Sequence, residues 1–354
     1  MNAVQLHGSE ADRYRAILDR KIKEGTARAG SVMQTIFTEA PKDAIVKTRA
    51  VKFHGSAYTM LTVDVGGEGL FPSDFALGQL AEKASVPAPY LRELSKGEPW
   101  KTELAAEILT RHYNHAAEMR VLVRSVKGQL RGWLSDRFRR LDCRPLAEAL
   151  ATEAQNVGAI PVDGTATETR VALKVIMPEI IEPVPGEFLV YGGEWSNSDY
   201  GNGTNSFRAF ALRVACLNGM TRENLLRQVH LGGRLEENIA FSDRTYQLDT
   251  EASVSALRDI VRGALGPAGR ESLTEKIRAA NEKEMTKSQL VSAVKTLPKA
   301  QQKSIVDAFE SEDVINLPAG KTAWRGSNAI SWIARHTEDA EARLDLERLA
   351  GSLA

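Results

Sequence analysis

The stretch Met119-Arg-Val-Leu-Val-Arg-Ser-Val-Lys-Gly-Gln-Leu-Arg-Gly-Trp-Leu134 decides the fold class. Apolar residues alternate along 119–126 and again along 130–134, which is the period of a β-strand. Gly128, between the two runs, supplies the tight turn of a β-hairpin. Successive side chains of a strand point to opposite faces, and a lone arginine among apolar neighbours is usually found at the rim of a sheet. The pattern therefore predicts a hairpin with Arg124 at its rim.

More strands and helices surround this hairpin. Residues 44–53 and 58–65 are rich in β-branched and aromatic residues, which predicts a second hairpin. Residues 169–176 and 188–195 have the same character and predict two further strands. Helical spacing of apolar residues is found between the strands, at residues 11–23, 73–84, 101–115 and 145–154.

The second half of the chain has mainly a helical pattern. Residues 207–217 predict a helix with apolar positions on its inner face, closed by Asn218 and Gly219 as a C-terminal cap. From residue 248 to 353 the apolar spacing is almost entirely helical, with breaks near Gly266, Pro298 and 318–321.

These elements predict an α+β fold, in which β-hairpins form an antiparallel-rich sheet packed by helices and an α-helical C-terminal region follows. The predicted division is an N-terminal helical arm at residues 1–40, an α+β core domain at 41–245 and a helical C-terminal region at 246–354.

Composition sets the class of protein. The chain has 354 residues, of which 43% are hydrophobic and 26% charged, as in soluble globular proteins. It has no run of eighteen apolar residues and no apolar signal-peptide core near Met1, so we expect a cytoplasmic protein without a membrane partner. Cys143 and Cys216 are too few and too isolated for a disulfide framework, and both are expected to be buried thiols.

Charge is balanced overall but uneven along the chain. Basic and acidic residues number 46 each. Residues 111–144, however, contain nine bases and three acids, and residues 208–234 contain five arginines and one glutamate. Because the local field decides what binds, a neutral protein with basic segments allows an anionic partner.

The residue types in these segments suit nucleic acid. Guanidinium groups bind phosphate bidentately, and exposed indole rings stack on unpaired bases. The alternative is a set of structural ion pairs at a strand end. The candidate nucleic-acid-binding residues are Arg124, Lys127, Arg131, Trp133, Arg137, Arg139, Arg140, Trp195, Asn197, Arg208 and Arg213.

The segment 196–206 is a second candidate. It concentrates asparagine, aspartate and glycine directly before the helix predicted at 207–217, so backbone N–H groups and the positive helix end would face a phosphate, assisted by Arg208. The segment lacks the Walker lysine-hydroxyl pair and the GxGxxG spacing. The alternative is that these residues only form turns and the N-cap of the helix.

Catalytic motifs are absent from the sequence. It has neither an HExxH zinc motif nor a GxSxG nucleophile elbow. His112 and His115, spaced i and i+3, share a helix face, but no acid or cysteine at ligand spacing accompanies them. We therefore predict no catalytic residue, no metal and no cofactor, and favour a protein that is not an enzyme.

Three longer motifs suggest a family. Arg131-Gly-Trp-Leu-Ser-Asp-Arg-Phe-Arg-Arg-Leu-Asp142 carries the first, with Phe138 in place of a tyrosine. The second combines Trp195-Ser-Asn-Ser-Asp-Tyr-Gly-Asn-Gly-Thr-Asn-Ser206 with Arg213-Val-Ala-Cys-Leu-Asn-Gly-Met220, and the third is Lys321-Thr-Ala-Trp-Arg-Gly-Ser-Asn-Ala-Ile-Ser-Trp332 followed by His336. Together they resemble the phage- and plasmid-encoded proteins with domain of unknown function 932. The resemblance implies a mobile-element origin and supplies no catalytic residues.

The resulting hypothesis is a mobile-element protein that binds DNA, preferably single-stranded, through residues 111–144 and 196–213. Hairpins flanked by helices also occur in proteins that anneal complementary strands, so we expect homo-oligomers by analogy. One alternative is a nucleotide-dependent or nucleic-acid-modifying enzyme that uses the 196–206 loop. Another is a host-interaction or anti-defence protein that acts through its helical C-terminus.

Overall fold

Two β-sheets organise the chain in the computed structural model, which describes residues 9–55, 60–214, 219–228, 241–311 and 317–353. The helices are α1 (Ser9–Thr38), α2 (Asp74–Ala84), α3 (Ala88–Leu94), α4 (Pro99–His115), α5 (Cys143–Asn156), α6 (Asp243–Leu265), α7 (Pro267–Glu282), α8 (Lys287–Ala293), α9 (Lys299–Glu310), α10 (Ala323–Arg335) and α11 (Ala340–Leu353). The strands are β1 (Lys42–Lys47), β2 (Lys52–His54), β3 (Thr62–Val65), β4 (Glu68–Pro72), β5 (Arg120–Val126), β6 (Gln129–Ser135), β7 (Ile160–Ala166), β8 (Val171–Ile176), β9 (Ile181–Val184), β10 (Glu187–Asn197), β11 (Asn205–Arg213) and β12 (Gly219–Gln228). The predicted α+β class with a helical C-terminal region is confirmed.

The first sheet contains the predicted central hairpin. Its strand order is β1-β5-β6-β4-β3-β2, antiparallel except where β4 pairs with β6. Lys127 and Gly128 both have positive φ (50° and 79°), as a two-residue hairpin turn of type I′ requires. Helices α2, α3 and α4 cover one face, where Leu77, Val123 and Trp133 belong to a single apolar cluster.

The hairpin predicted from 44–53 and 58–65 is wrong in its pairing. A 3₁₀ turn at Thr48–Ala50 divides the first run. Strand β1 before the turn pairs with β5, whereas β2 after it pairs with β3. The division is stabilised because Thr48 and Met119 exchange hydrogen bonds at the start of β5, at 2.9 and 3.1 Å. Residues 58 and 59 lie outside the described residues.

The second sheet has the order β12-β11-β10-β8-β7, with β9 paired to β10, and its strands are all antiparallel. Helix α1, much longer than the helix predicted at 11–23, lies along the edge strand β7. A Cβ atom added at Gly25 would lie 1.7 Å from the carbonyl oxygen of Val162, and one at Gly164 would lie 2.8 Å from Cα of Ala29. Helix and strand therefore approach closely because both contact points are glycine.

The helix predicted at 207–217 is strand β11 from Asn205 to Arg213, so this prediction is wrong. Its spacing of apolar residues fits a helix only because β11 is central in its sheet and buried on both faces, so apolar residues occur at odd and even positions alike. Gly219, predicted as part of a helix cap, begins β12, while Asn218 and Cys216 lie outside the described residues.

The C-terminal helices share a core with the second sheet. Breaks near Gly266, Pro298 and 318–321 separate helices as predicted. One apolar cluster includes residues of all three predicted segments, for example Ala29, Leu146, Trp195, Leu257 and Trp324. Within the described part of the chain, no helix has both the length and the apolar character needed to cross a membrane.

Candidate functional site

Arg124 is enclosed between the two sheets and is not at a rim as predicted. Only 1% of the residue is exposed. Its guanidinium donates from Nε to Asp43 Oδ1 (2.8 Å), from Nη2 to Asp142 Oδ1 (2.7 Å) and from Nη1 to the carbonyl oxygen of Asp199 (2.8 Å). Burial lowers the pKa of Arg124, but Asp142, Asp43 and Asp199 together raise it further, so the group stays charged. Arg124 thus joins three chain segments and has no face open to a phosphate.

The neighbouring cations are also engaged with carboxylates. Lys127 and Arg131 both bind Glu39, at 3.3 and 2.7 Å. Arg139 Nε donates to Asp249 Oδ2 of α6 (2.6 Å). These pairs favour the structural alternative for the basic hairpin, because each carboxylate reduces the local positive field.

Two arginines follow in the same turn region. Arg140 lies 3.4 Å from Asp43 and 4.8 Å from the ring centroid of Tyr246. Arg137 is exposed and forms no ion pair with a described residue. Of the hairpin arginines proposed for phosphate, Arg137 is therefore the one best placed to meet a ligand.

The two tryptophans cannot stack on bases in this fold. Trp133 and Trp195 are both 0% exposed. Trp133 packs edge-on against Tyr113 in the first core, and Trp195 donates from Nε1 to Asn205 Oδ1 at 2.8 Å in the second. Both indoles stabilise apolar cores.

The loop between β10 and β11 is a structural connection and precedes a strand, so it has no helix N-terminus to offer a phosphate. Asn197 Nδ2 donates to the carbonyl oxygen of Leu141 (2.6 Å), and Ser198 Oγ donates to that of Thr169 (2.6 Å). The loop also contacts the first sheet, because Gln79 Nε2 donates to the carbonyl oxygen of Tyr200 (2.9 Å). The sequence alternative in which these residues only make turns fits this arrangement.

Gln79 is a residue that the sequence analysis missed. Its Oε1 accepts from the backbone N–H of Trp133 (2.7 Å), while its Nε2 holds Tyr200. The side chain therefore links α2, β6 and the 198–204 loop. No local sequence pattern marks a glutamine in this role, since its partners lie 54 and 121 residues away.

Arg208 and Arg213 point to opposite faces of β11 and do not form one site. Arg213 pairs with Glu187, with Nε to Oε2 at 2.6 Å. Arg208 lies 3.8 Å from Glu194 and donates to Ser206 Oγ at 3.0 Å. Both guanidinium groups are at least partly buried beside carboxylates, which again favours a structural role.

Asp199 of the 198–204 loop and Cys143 at the start of α5 form a pair of titratable residues. The backbone N–H of Cys143 donates to Asp199 Oδ1 at 2.7 Å. Burial, and then the charge of Asp142, raise the pKa of Asp199 to about 6. Burial also raises the pKa of the Cys143 thiol well above its usual value, so the thiol is neutral and a poor nucleophile.

The space beside this pair is too small for a nucleotide. The cavity is lined by Glu39, Arg131, Cys143, Asn197 and Asp199, among others, and its volume is about 30 Å³. That volume holds about one water molecule. Arg208 does not line it. The enzyme alternative assigned nucleotide binding to the 196–206 loop, and the cavity that Asn197 and Asp199 of this segment line is too small for it.

Histidine, cysteine and carboxylate side chains do not assemble a metal centre in the described ranges, where no group of three or more is arranged for one. His112 and His115 are exposed in the last turn of α4.

Basic side chains, most of them exposed, lie at one end of the first sheet, and we call this surface the basic edge. Helix α4 contacts β2 and the Thr48–Ala50 turn there, and Arg49 Nη2 donates to the carbonyl oxygen of Ala116 at 3.4 Å. In the β1/β5 pairing, Lys47 lies opposite Arg120. The basic edge consists of the exposed residues Lys47, Arg49, Lys52, Arg111, His112 and His115 and the half-buried Arg120.

Carboxylates only partly neutralise the basic edge. Lys47 pairs with Glu118 at 3.1 Å and Arg111 with Glu107 at 2.5 Å, and all four side chains are exposed, so both pairs are weak. Asp64 lies opposite Lys52, but its Oδ1 accepts from the backbone N–H of Gly67. Neither Arg49 nor Lys52 forms an ion pair with a described residue. The sequence analysis named only part of this surface, because residues 47–52 and 111–120 are brought together by the fold.

No protein-family model, curated protein or solved structure matches this chain. The resemblance to proteins with domain of unknown function 932 therefore stays a prediction from the three sequence motifs.

Proposed function

We propose that this protein binds DNA, with a preference for single strands, and that the phosphates contact the basic edge. The observation that supports the proposal is the surplus of exposed cations there, which contrasts with the neutralised arginines of the hairpin. Exposed cations attract a phosphate backbone by releasing its counterions, and Arg49 and Lys52 of the basic edge form no ion pair with a described residue. The imidazole rings of His112 and His115 add flat surfaces on which unpaired bases stack.

The test is fluorescence anisotropy of labelled single- and double-stranded oligonucleotides at two salt concentrations. We expect steep loss of affinity with salt and tighter binding to single strands. The double variant Arg49→Gln/Lys52→Gln removes two phosphate contacts. It should lower the slope of log K against log salt by about 1.4 and the low-salt affinity roughly tenfold.

A matched control removes the same charge elsewhere. Lys295→Gln/Lys303→Gln neutralises two exposed lysines of the C-terminal helical region and should leave the affinity unchanged. Absence of binding at low salt, or an equal loss in the control, would reject the basic edge as a DNA site. Arg137→Gln, tested separately, shows whether that exposed hairpin arginine contributes.

Assembly belongs to the same proposal. We propose a homo-oligomer of a mobile-element protein in the host cytoplasm, as expected for strand annealing. Strand β1 is an edge of the first sheet and carries exposed Ile45, and unpaired edge strands are templates for association. Light scattering on the anisotropy samples measures the mass, and a monomer with and without DNA would contradict annealing as a ring or filament.

A further inference from the structure

A large apolar cavity lies between α1, α5, β7 and β8, away from the basic edge. Its volume is about 440 Å³, within the range of small-molecule binding sites. Buried residues form its floor, and Leu150, Leu173 and Val175 are among them. The cavity opens to solvent on one side, and a well-formed apolar cleft of this size is the usual form of a small-molecule site.

Small residues keep the walls of this cavity apart. Helix α1 contributes Ala29, and α5 contributes Ala151 and Ala154. Gly158, with a φ of +77°, turns the chain from α5 into β7, and Ala159 follows it. Because α1 is fixed against β7 at Gly25 and Gly164, it cannot move toward α5 to close the gap without breaking those contacts.

The lining has little polar chemistry. Gln155 supplies an amide at the exposed rim. Lys174 also lines the cavity, but it lies between Leu173 and Val175 on β8 and its Nζ contacts Glu347 and, at 3.5 Å, Glu194. Its charge is therefore already balanced, and the lining includes no carboxylate.

We propose that this cavity binds a neutral, compact, apolar small molecule of about the size of a two- or three-ring aromatic compound. A cavity of roughly 150 Å³ holds benzene, and this one has about three times that volume. The lining includes no carboxylate, and its one cation, Lys174, is already balanced by Glu347 and Glu194, so a charged headgroup would find no unpaired opposite charge there. The exposed residues Ala151, Gln155 and Pro161 mark the entrance. The proposal uses none of the residues of the basic edge and stands independently of DNA binding.

The direct test uses the neutral fluorescent probe N-phenyl-1-naphthylamine with the full chain. We expect a saturable rise in fluorescence with one site per chain, together with a higher melting temperature. Ala151→Phe narrows the entrance and should weaken binding at least tenfold. Thr152→Phe places the same ring on the next residue, which is exposed and does not line the cavity, and should bind as wild type does.

A second variant tests the void itself. In Ala154→Leu the larger side chain fills part of the cavity, so the variant should lose probe binding without a lower melting temperature. A packed region would instead be strained by the larger side chain and melt earlier. The proposal is overturned by an early-melting Ala154→Leu variant, by equal binding to the two phenylalanine variants, or by the absence of saturable binding.

Discussion

Asp199 has a charge state that the fold alters in a testable way. Its pKa rises from 3.8 to about 6 because burial and Asp142 disfavour the carboxylate. Because the pKa of Asp199 is higher in the folded state, its protonated form contributes to the free energy of unfolding. This contribution is fully present below pH 3.8 and is lost as the pH rises through about 6. Asp199→Asn keeps an oxygen for the N–H of Cys143 and removes the charge. At pH 7.5 we expect the variant to have a higher melting temperature than wild type, and a free energy of unfolding higher by about 1–3 kcal/mol.

The pH dependence separates this effect from general stabilisation. Thermal melts at pH 4 and pH 7.5 should show the advantage of Asp199→Asn shrinking at the lower pH. Glu93 is an exposed carboxylate without an ion pair among the described residues, so Glu93→Gln should hardly change the melting temperature at either pH. An Asp199→Asn variant that melts below wild type at pH 7.5 would show that the carboxylate stabilises the junction.

The roles of single arginines depend on partners that are far away in sequence. Arg124 binds Asp43 across 81 residues, and Arg139 binds Asp249 across 110 residues. The count of nine bases against three acids in residues 111–144 is correct, but it leaves out the carboxylates that lie far away in sequence. Because ion pairing is decided by tertiary contacts, the basic segment at 111–144 overstated the field of the hairpin.

At the scale of elements, periodicity predicted α4, which buries one face, near its observed position. The β5/β6 hairpin was also predicted although β5 is buried on both faces, because Gly128 marks the turn between its two β-branched and apolar runs. Strand β11 was mistaken for a helix because burial on both faces removes the alternation of period two. Strand β7 was missed because Ile-Pro-Val-Asp-Gly-Thr-Ala mixes polar and apolar residues, and it is an edge strand that α1 covers.

Two glycines of α1 give a matched test of how this helix is held. Alanine in place of glycine normally stabilises a helix by about 0.5–1 kcal/mol, which we expect for Gly30→Ala because nothing lies within 4 Å of the added Cβ. Gly25→Ala would place the same atom 1.7 Å from the carbonyl oxygen of Val162. We expect it to destabilise the protein by about 1–3 kcal/mol, because helix and strand must separate.

Urea denaturation with hydrogen exchange of α1 and β7 measures this difference. Gly25→Ala should speed exchange in both elements, whereas Gly30→Ala should slow it in α1. Equal effects of the two substitutions would mean that α1 does not pack on β7 at Gly25.

At the scale of the whole molecule, two sheets with separate apolar clusters are joined by a polar junction. The first cluster lies under α2 to α4, and the second unites α1, α5 and the C-terminal helices. Between them, Arg124 holds Asp43, Asp142 and the carbonyl oxygen of Asp199. Removing one partner of a buried ion pair leaves uncompensated charge and typically costs about 3–5 kcal/mol.

Arg124→Met keeps an apolar stem and removes the guanidinium, so we expect it to destabilise the protein by about 3–5 kcal/mol. The loss should be larger at pH 8 than at pH 5. The charge of Arg124 lowers the pKa of Asp199, so its removal raises that pKa further, and a carboxyl group with a raised pKa in the folded state destabilises the fold as the pH rises. Lys127→Met removes the same charge from an exposed position of the same hairpin and should cost less than about 1 kcal/mol.

Hydrogen exchange shows which part of the structure loses stability in Arg124→Met. If Arg124 joins two separately packed sheets, hydrogen exchange in Arg124→Met should rise first at β6 and in the 198–204 loop, while the interiors of both cores stay protected. Arg124→Lys keeps a charge but lacks the planar fork that reaches three acceptors, so it should recover only part of the stability. Uniform acceleration across both sheets, or equal stability of Arg124→Met and Lys127→Met, would mean that the sheets are coupled by packing and that the ion cluster is incidental.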